Sequence, residues 1–338
     1  MPKAMILTQY REYGDLGGLA LADVPEPVLA EGEVLIDVDA FALNYGDFAL
    51  FANKYTFDLE LPARVGDECS GTVKAVGPGV TRVKVGDRVG TLPIRYGKHG
   101  VNGEFAVYPA DFVARYPDNL TVAEACSIWV CYLTCYFALY EIGKVKEGDF
   151  VLITAASSSA GMAAMELCKM QGAKAIGTSR TRSNCDHLLN IGFDHVIAQD
   201  EDDLASQVLE FSGGLGVRLV YDPIGGKIVE DYATALAQDA IIFLYGGMSQ
   251  SPTVLPVIEL VNKAACLRPF SVYNHIYDEA SRERAIKFIY DALSRGHLQA
   301  RVEKEFPLSQ YKEALQYQFH STRRRGKIVI STKSVTGS

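Results

Sequence analysis

The sequence predicts an α/β protein in which a doubly wound parallel sheet interrupts a β-rich domain. Three observations point there. Up to about residue 125 the apolar positions follow period two and are densely punctuated by Gly and Pro. From 126 to 270 short apolar strands alternate with helical stretches, the pattern of a parallel sheet covered on both faces. From 271 to 338 the chain closes with an amphipathic helix and a final strand, which reads as a return to the first domain.

The elements follow in order. Val34, Ile36, Val38 and Ala40 alternate with Leu35, Asp37 and Asp39, as in a half-buried strand. Gly71 to Val76 alternates similarly and ends at the turn Gly77-Pro78-Gly79. Val85 to Val89 reads as the next strand. Phe150 to Ile153 is a short buried strand, and Gly161 to Met170 a helix. Further strands are expected at Lys174–Thr178, Asp194–Ile197, Val217–Tyr221 and Ala240–Leu244, with a helix over 201–210. From Ser281 to Ser294, residues Ala285, Phe288, Ile289, Ala292 and Leu293 share one helical face, and Gly296 is placed to end that helix. Lys327 to Ile330 is the closing strand.

Bulk properties exclude several function classes. A chain of 338 residues suits two domains, and 48% hydrophobic with 22% charged residues is ordinary for a globular protein. The net charge of -8 offers no attraction to nucleic acid or an anionic membrane. The basic run Arg323-Arg324-Arg325 reads as a solvated turn. The start, Met1 to Leu7, lacks the apolar stretch of a signal peptide, and no run of about 18 apolar residues suggests a membrane span. The seven cysteines form no Cys-x-x-Cys pair and several lie in apolar runs, so reduced thiols and a cytoplasmic location are expected.

The chemistry-bearing feature is a strand–turn–helix passage. Val151-Leu152-Ile153 leads into Thr154, Ala155, Ala156, Ser157, Ser158, Ser159 and Ala160, and Gly161 opens the helix. Small residues let backbone approach a pyrophosphate, and the helix N-terminus supplies N–H groups and a favourable dipole. Only the last glycine of a G-x-G-x-x-G pattern is present, so ordinary strand–helix punctuation is the alternative reading. An acid near the end of the second strand would bond the ribose 2′-OH of NAD. Here the segment is Thr178-Ser179-Arg180-Thr181-Arg182, without an acid. Ser179 and Arg180, with Arg182 in a weaker position, suit a 2′-phosphate and hence NADPH; surface charges are the alternative.

Several segments, in order, resemble the medium-chain dehydrogenase/reductase superfamily, in particular its zinc-free quinone oxidoreductase and enoyl reductase branch. They are Gly66-Asp67-Glu68-Cys69-Ser70-Gly71-Thr72-Val73, Gly77-Pro78-Gly79-Val80 with Val85-Gly86-Asp87-Arg88-Val89, Leu133-Thr134-Cys135-Tyr136 as a helix start, Asp222-Pro223-Ile224-Gly225-Gly226 and Gly326-Lys327-Ile328-Val329. The resemblance runs over nearly the whole chain. It implies a GroES-like catalytic domain (1–125 and 271–338), a Rossmann NADPH-binding domain (126–270), catalysis between the two, and a homodimer.

The resemblance also bears on metal. In the zinc relatives the catalytic donors fall on positions occupied here by Asn44, Asp67 and Val130, an amide, one carboxylate and an aliphatic. No metal is expected. Without a Lewis acid, a conjugated acceptor, which delocalises the charge that hydride addition creates, is favoured over a simple alcohol.

The branch's N-P-x-D and G-x-Y…L-P stretches resemble Asn44-Tyr45-Gly46-Asp47 and Tyr55…Leu61-Pro62. The implied roles are a substrate-oxygen or nicotinamide contact for Asn44 and proton donation or substrate orientation for Tyr55. A packing role for Tyr55 stays open. Thr134, Tyr245, Gly246 and Gly247, Phe270 and Ser271 are expected around the nicotinamide, and Lys327 near the cofactor phosphates. His99 reads as solvent-facing. The function these point to is NADPH-dependent reduction of a quinone or α,β-unsaturated carbonyl, with a small-molecule substrate. Two alternatives remain at this level: a zinc-independent alcohol or ketone dehydrogenase, and a non-enzymatic NADPH-binding sensor or crystallin-like protein.

Overall fold

The computed structural model describes residues 1–25, 27–95, 97–321 and 325–333. Arg323 and Arg324 of the basic run, and Tyr96 of the loop beside His99, lie outside the described residues. The contacts divide the chain into two units. One takes Met1–Val130, Ile286–Ser294 and Ala300–Ser338, and the other takes Cys131–Ala285 and Arg295–Gln299. The expected boundaries at 126 and 271 therefore shift. Trp129 is fully buried and its indole lies over Gly90, which holds 126–130 in the first unit. The His275 ring stacks on Phe270 and Phe137, and Ser281 donates to Glu141, which keeps 271–285 in the second.

The first unit contains β1 (Lys3–Leu7), β2 (Leu19–Asp23), β3 (Glu33–Leu43), β4 (Ala63–Arg64), β5 (Cys69–Val76), β6 (Arg88–Thr91), β7 (Phe105–Pro109) and β8 (Val113–Arg115). The second contains β9 (Phe150–Ile153), β10 (Lys174–Ser179), β11 (His195–Ala198), β12 (Val217–Asp222), β13 (Leu236–Leu244) and β14 (Cys266–Pro269). The first unit resumes with β15 (Val302–Pro307) and β16 (Lys327–Ser331). Val85 to Asp87, expected as strand, form a turn instead. Gly86 has φ +91°, and Val85 is left exposed.

β3 is the spine of the first unit. Val34, Ile36, Val38, Phe41 and Leu43 sit in one core with Val73, Val89, Val113, Ile328 and Ile330. β5 pairs antiparallel along one edge of β3, with Phe41 opposite Cys69. β16 pairs antiparallel at its end, with Leu43 opposite Ile328. The end of β3 and the starts of β5 and β16 therefore meet at one end of the sheet.

The second unit is a six-stranded, wholly parallel sheet in the order β11-β10-β9-β12-β13-β14. Strands covered on both faces read as continuous apolar runs, and Val151, Leu152 and Ile153 are fully buried. The strand order reverses between β9 and β12. In sheets of this kind ligands bind outside the carboxyl ends of the strands at such a switch.

One stretch, Val122–Ile142, is long and apolar enough to cross a membrane by length and composition, contrary to the sequence expectation. Of its most apolar window, 83% is buried inside the fold, as in a core helix.

Candidate functional site

In the second unit the turn after β9 is a built cradle. Ala155 takes φ +49°, which reverses the chain sharply, and the helix Ser159–Met170 follows at once. Ser158 is its N-cap, its Oγ accepting the Gly161 N–H at 3.0 Å. Gly161 is the position where backbone comes closest. A Cβ there would stand 2.8 Å from the carbonyl oxygens of both Ala155 and Ala156. Ser157, Ser159 and Ala160 are half-buried, while Ala156 is buried. A small-residue turn opening a three-turn helix provides the N–H groups and dipole that a pyrophosphate needs.

Across the switch, Asp222 at the end of β12 anchors the neighbouring loop. Its Oδ1 accepts from Thr154 Oγ1 at 2.6 Å and from the Ile224 N–H at 2.8 Å; its Oδ2 accepts from Tyr232 Oη at 3.1 Å. The loop after β13 is laced onto this one: the N–H groups of Tyr245, Met248 and Ser249 donate to the carbonyls of Asp222, Pro223 and Ile224. Tyr245 turns its ring inward, stacked on Tyr221 with centroids 4.1 Å apart and its hydroxyl buried. Gly246 and Gly247 are exposed and Ser271 is half-buried, whereas Phe270 is buried. Thr134 is buried in the last turn of the helix Trp129–Cys135, not at a helix start; the helix then continues in wider, π-type turns to Ile142.

The end of β10 carries the cationic residues. Ser179 is buried and its Oγ donates to the Thr181 carbonyl. Arg180 is exposed and has no acidic partner among the described residues. Arg182 is bound by Glu201 at 2.6 Å and Asp202 at 2.7 Å, and these carboxylates raise the pKa of its guanidinium above the usual value.

In the first unit the meeting strand ends build a polar cluster inside an otherwise apolar core. Lys327 opens β16, Glu68 immediately precedes β5 and Asn44 follows β3. The side chains of Lys327 and Glu68 are 3% and 0% exposed and form an ion pair. Lys327 Nζ also donates to Asn44 Oδ1 at 2.5 Å, and Asn44 Nδ2 is 3.4 Å from Glu68 Oε1. The second carboxylate oxygen of Glu68 accepts the Val130 N–H at 3.0 Å. Asp47, buried in the first turn of the helix Gly46–Phe51, accepts the Asn44 N–H at 2.9 Å. Burial, the largest influence, raises the Asp47 pKa from 3.8 to about 7, against the Asn44 hydrogen bond and the Lys327 charge, which lower it.

Tyr55 lies beside this cluster. A Cβ on Gly46 would stand 3.2 Å from the Tyr55 hydroxyl, so the phenol rests directly on the Asn44–Asp47 turn. Tyr55 and Asn44, singled out from the sequence, both lie in the first unit, Tyr55 against the Gly46 that follows Asn44 by two residues. Lys327 differs from its sequence expectation. Its ammonium is committed to Glu68 and Asn44 within the β-sheet core, where a cofactor phosphate would have to displace a buried ion pair. His99 also differs: it is half-buried, its Nδ1 is 3.0 Å from the Val107 carbonyl and its Nε2 is 3.7 Å from Glu33. Sequence reasoning missed Glu68 as a site residue. Its signal was a pair of acids, Asp67 and Glu68, directly before the apolar strand that starts at Cys69.

Among the described residues no group of three or more His, Cys, Asp or Glu side chains could hold a metal. At the zinc relatives' donor positions, the Asn44 oxygen is bonded to an ammonium, and Val130 offers no donor atom in its side chain. These residues do not fit zinc.

Comparison with known proteins agrees with this architecture. Residues 30–118 match the alcohol dehydrogenase GroES-like domain and 160–290 the zinc-binding dehydrogenase domain. The chain is 31% identical to a 2-haloacrylate reductase of Burkholderia sp over 264 residues, 76% of this chain and 78% of that protein. It is 31% identical to a probable quinone oxidoreductase of Leishmania amazonensis, over 75% of this chain and 73% of that one. A mycobacterial structure solved with NADPH superposes with a TM-score of 0.87 at 28% identity, covering 98% of this chain and 100% of that chain. Much longer proteins match too: the chain covers only 10% of a mycocerosic acid synthase-like polyketide synthase of Mycobacterium tuberculosis, at 32% identity over 64% of this chain. The fold and both domains define an oxidoreductase of the dehydrogenase/reductase type. The chain belongs to the medium-chain dehydrogenase/reductase superfamily, in its zinc-free quinone oxidoreductase-like branch.

Proposed function

We propose that this protein reduces a quinone or an α,β-unsaturated carbonyl with NADPH, without a metal. The observation that carries the reading is the Asn44 carboxamide, bonded to a buried ammonium two residues before the Gly46 on which the Tyr55 phenol rests, at donor positions that do not fit zinc. The NADPH bound to relatives supports the cofactor, and the cradle fits it. The N–H groups at the start of the helix Ser159–Met170 would hold the pyrophosphate, and Arg180 the 2′-phosphate.

Bound NADPH supplies a hydride. The chain's own residues stabilise and protonate what that hydride leaves behind. The Asn44 Nδ2–H donates to the acceptor's carbonyl oxygen as negative charge develops there. The Tyr55 hydroxyl gives its proton to the resulting enolate and regains one from solvent. Turnover of NADPH with 1,4-benzoquinone, trans-2-hexenal and crotonyl-coenzyme A tests the reading. No turnover with all three sinks it.

A homodimer goes with this reading. β14 is an edge strand, and Val254, Leu255, Val257, Ile258 and Val261 beside it are between 50% and 71% exposed. An uncovered edge beside a contiguous apolar patch supports pairing with a second copy about a two-fold axis. Six of the seven cysteines are buried, where a reduced thiol packs as a small apolar group, and this supports a reducing, cytoplasmic setting.

A further inference from the structure

We propose that Lys327 is a positioning residue for reduction, acting through Asn44 as the fixed positive charge of a metal-free site. The inference rests on the proposed reductase function and deepens it. An amide side chain can present either its oxygen or its nitrogen to a ligand. Here the choice is made. Lys327 Nζ, which carries only donors, holds Asn44 Oδ1 at 2.5 Å. Asn44 Nδ2 turns towards Glu68 Oε1, a contact of 3.4 Å that leaves one hydrogen directed to no acceptor among the described residues. Asn44 is half-buried, whereas Lys327 and Glu68 are buried, so of these three residues Asn44 is the one within reach of a ligand.

Glu68 keeps the ammonium in place. One of its oxygens takes Lys327 and the other takes the Val130 N–H, so neither lone charge is stranded in the core. The pair is electrically neutral overall, yet its positive end abuts Asn44 Oδ1. That end makes the Nδ2–H a stronger donor to the oxygen of an enolate or reduced quinone. A metal would polarise the oxygen directly; this arrangement does so through one amide.

The test compares K327M/E68Q, which removes both charges and strands neither, with N44A and with the triple variant. K327R serves as the conservative rescue. Steady-state rates are read with trans-2-hexenal and 1,4-benzoquinone, alongside the NADPH Kd from fluorescence titration. The expected result is a kcat lower by about a hundredfold in K327M/E68Q, as for loss of an oxyanion donor, with the NADPH Kd within about twofold. K327R recovers part of the rate. N44A falls equally, and the triple variant falls no further, because the charge acts through the amide. The Asn44 side-chain 15N–1H resonance, assigned by its loss in N44A, shifts in K327M/E68Q but not in K327R. That readout does not need turnover: if the wild type reduces none of the acceptors, the functional reading fails while the orientation of Asn44 is still decided. An unchanged kcat, additive losses, a parallel rise in NADPH Kd or an unmoved Asn44 resonance overturns the proposal.

Discussion

Replacing Arg180 with alanine removes the one exposed cation at the end of β10 that has no acidic partner among the described residues. A charge-assisted hydrogen bond contributes about 1.5–3 kcal/mol, and each 1.4 kcal/mol is roughly tenfold. The KM for NADPH should therefore rise about ten- to a hundredfold. NADH lacks the 2′-phosphate, so its KM should change less than about twofold. Arg182 is expected to behave differently, because Glu201 and Asp202 already hold its guanidinium at 2.6 and 2.7 Å. E201Q/D202N releases it and should lower the NADPH KM severalfold. Steady-state titrations of both cofactors at fixed acceptor, repeated at low and high salt, measure these effects, and the Arg180 effect shrinks as salt screens the phosphate. An equal change for NADH and NADPH in Arg180→Ala refutes the assignment.

Other outcomes follow from the same geometry. Gly161→Ala puts a Cβ 2.8 Å from two carbonyl oxygens, so it should lower Tm by several degrees and weaken NADPH binding at least tenfold; calorimetry and fluorescence titration showing neither change would count against the cradle. Asp47 has a raised pKa, from 3.8 to about 7, so the folded state holds a proton that the unfolded chain has lost. Its contribution to stability is therefore greatest below about pH 4 and declines as pH rises to about 7. In D47N that decline is absent, and the Tm of D47N minus that of the wild type should grow steadily between those limits; a pH-independent difference contradicts the raised value. Ile258→Lys places a charge in the exposed apolar patch beside β14 and should convert a dimer to a monomer by light scattering, with Tm little changed. A monomeric wild type ends that reading.

The parallel sheet was legible because its strands are covered on both faces: Val151-Leu152-Ile153 and Leu219-Val220-Tyr221 stand out as apolar runs between helical stretches. β14 was not, because an edge strand has no such requirement; Cys266 and Arg268 are exposed and Pro269 ends the ladder. That Asn44 and Tyr55 belong to one region could be suggested only through family resemblance, since the close approach of Tyr55 to Gly46 depends on the absence of a side chain there. Lys327 was noticed but given a different task. Strand register, not local spacing, brings it to Glu68 across 259 residues. What can be read is that both residues are charged and lie next to apolar strand positions, where an unpartnered charge is untenable. Tyr245 shows the opposite case. Its loop does follow β13, as position suggested, yet the ring faces Tyr221, and the exposed residues beside it are Gly246 and Gly247.

The dependence of Asn44 on Lys327 has a consequence for biosynthesis. Asn44 and Glu68 leave the ribosome early, but the cation that orients one and neutralises the other arrives 283 residues after Asn44. Until β16 docks on β3, a carboxylate destined for full burial has only the Val130 N–H and the Asn44 amide and lacks its cation, which favours its staying hydrated. A nascent chain or proteolytic fragment ending before Lys327 would carry the turn after β9 whole but leave Glu68 without its counter-charge.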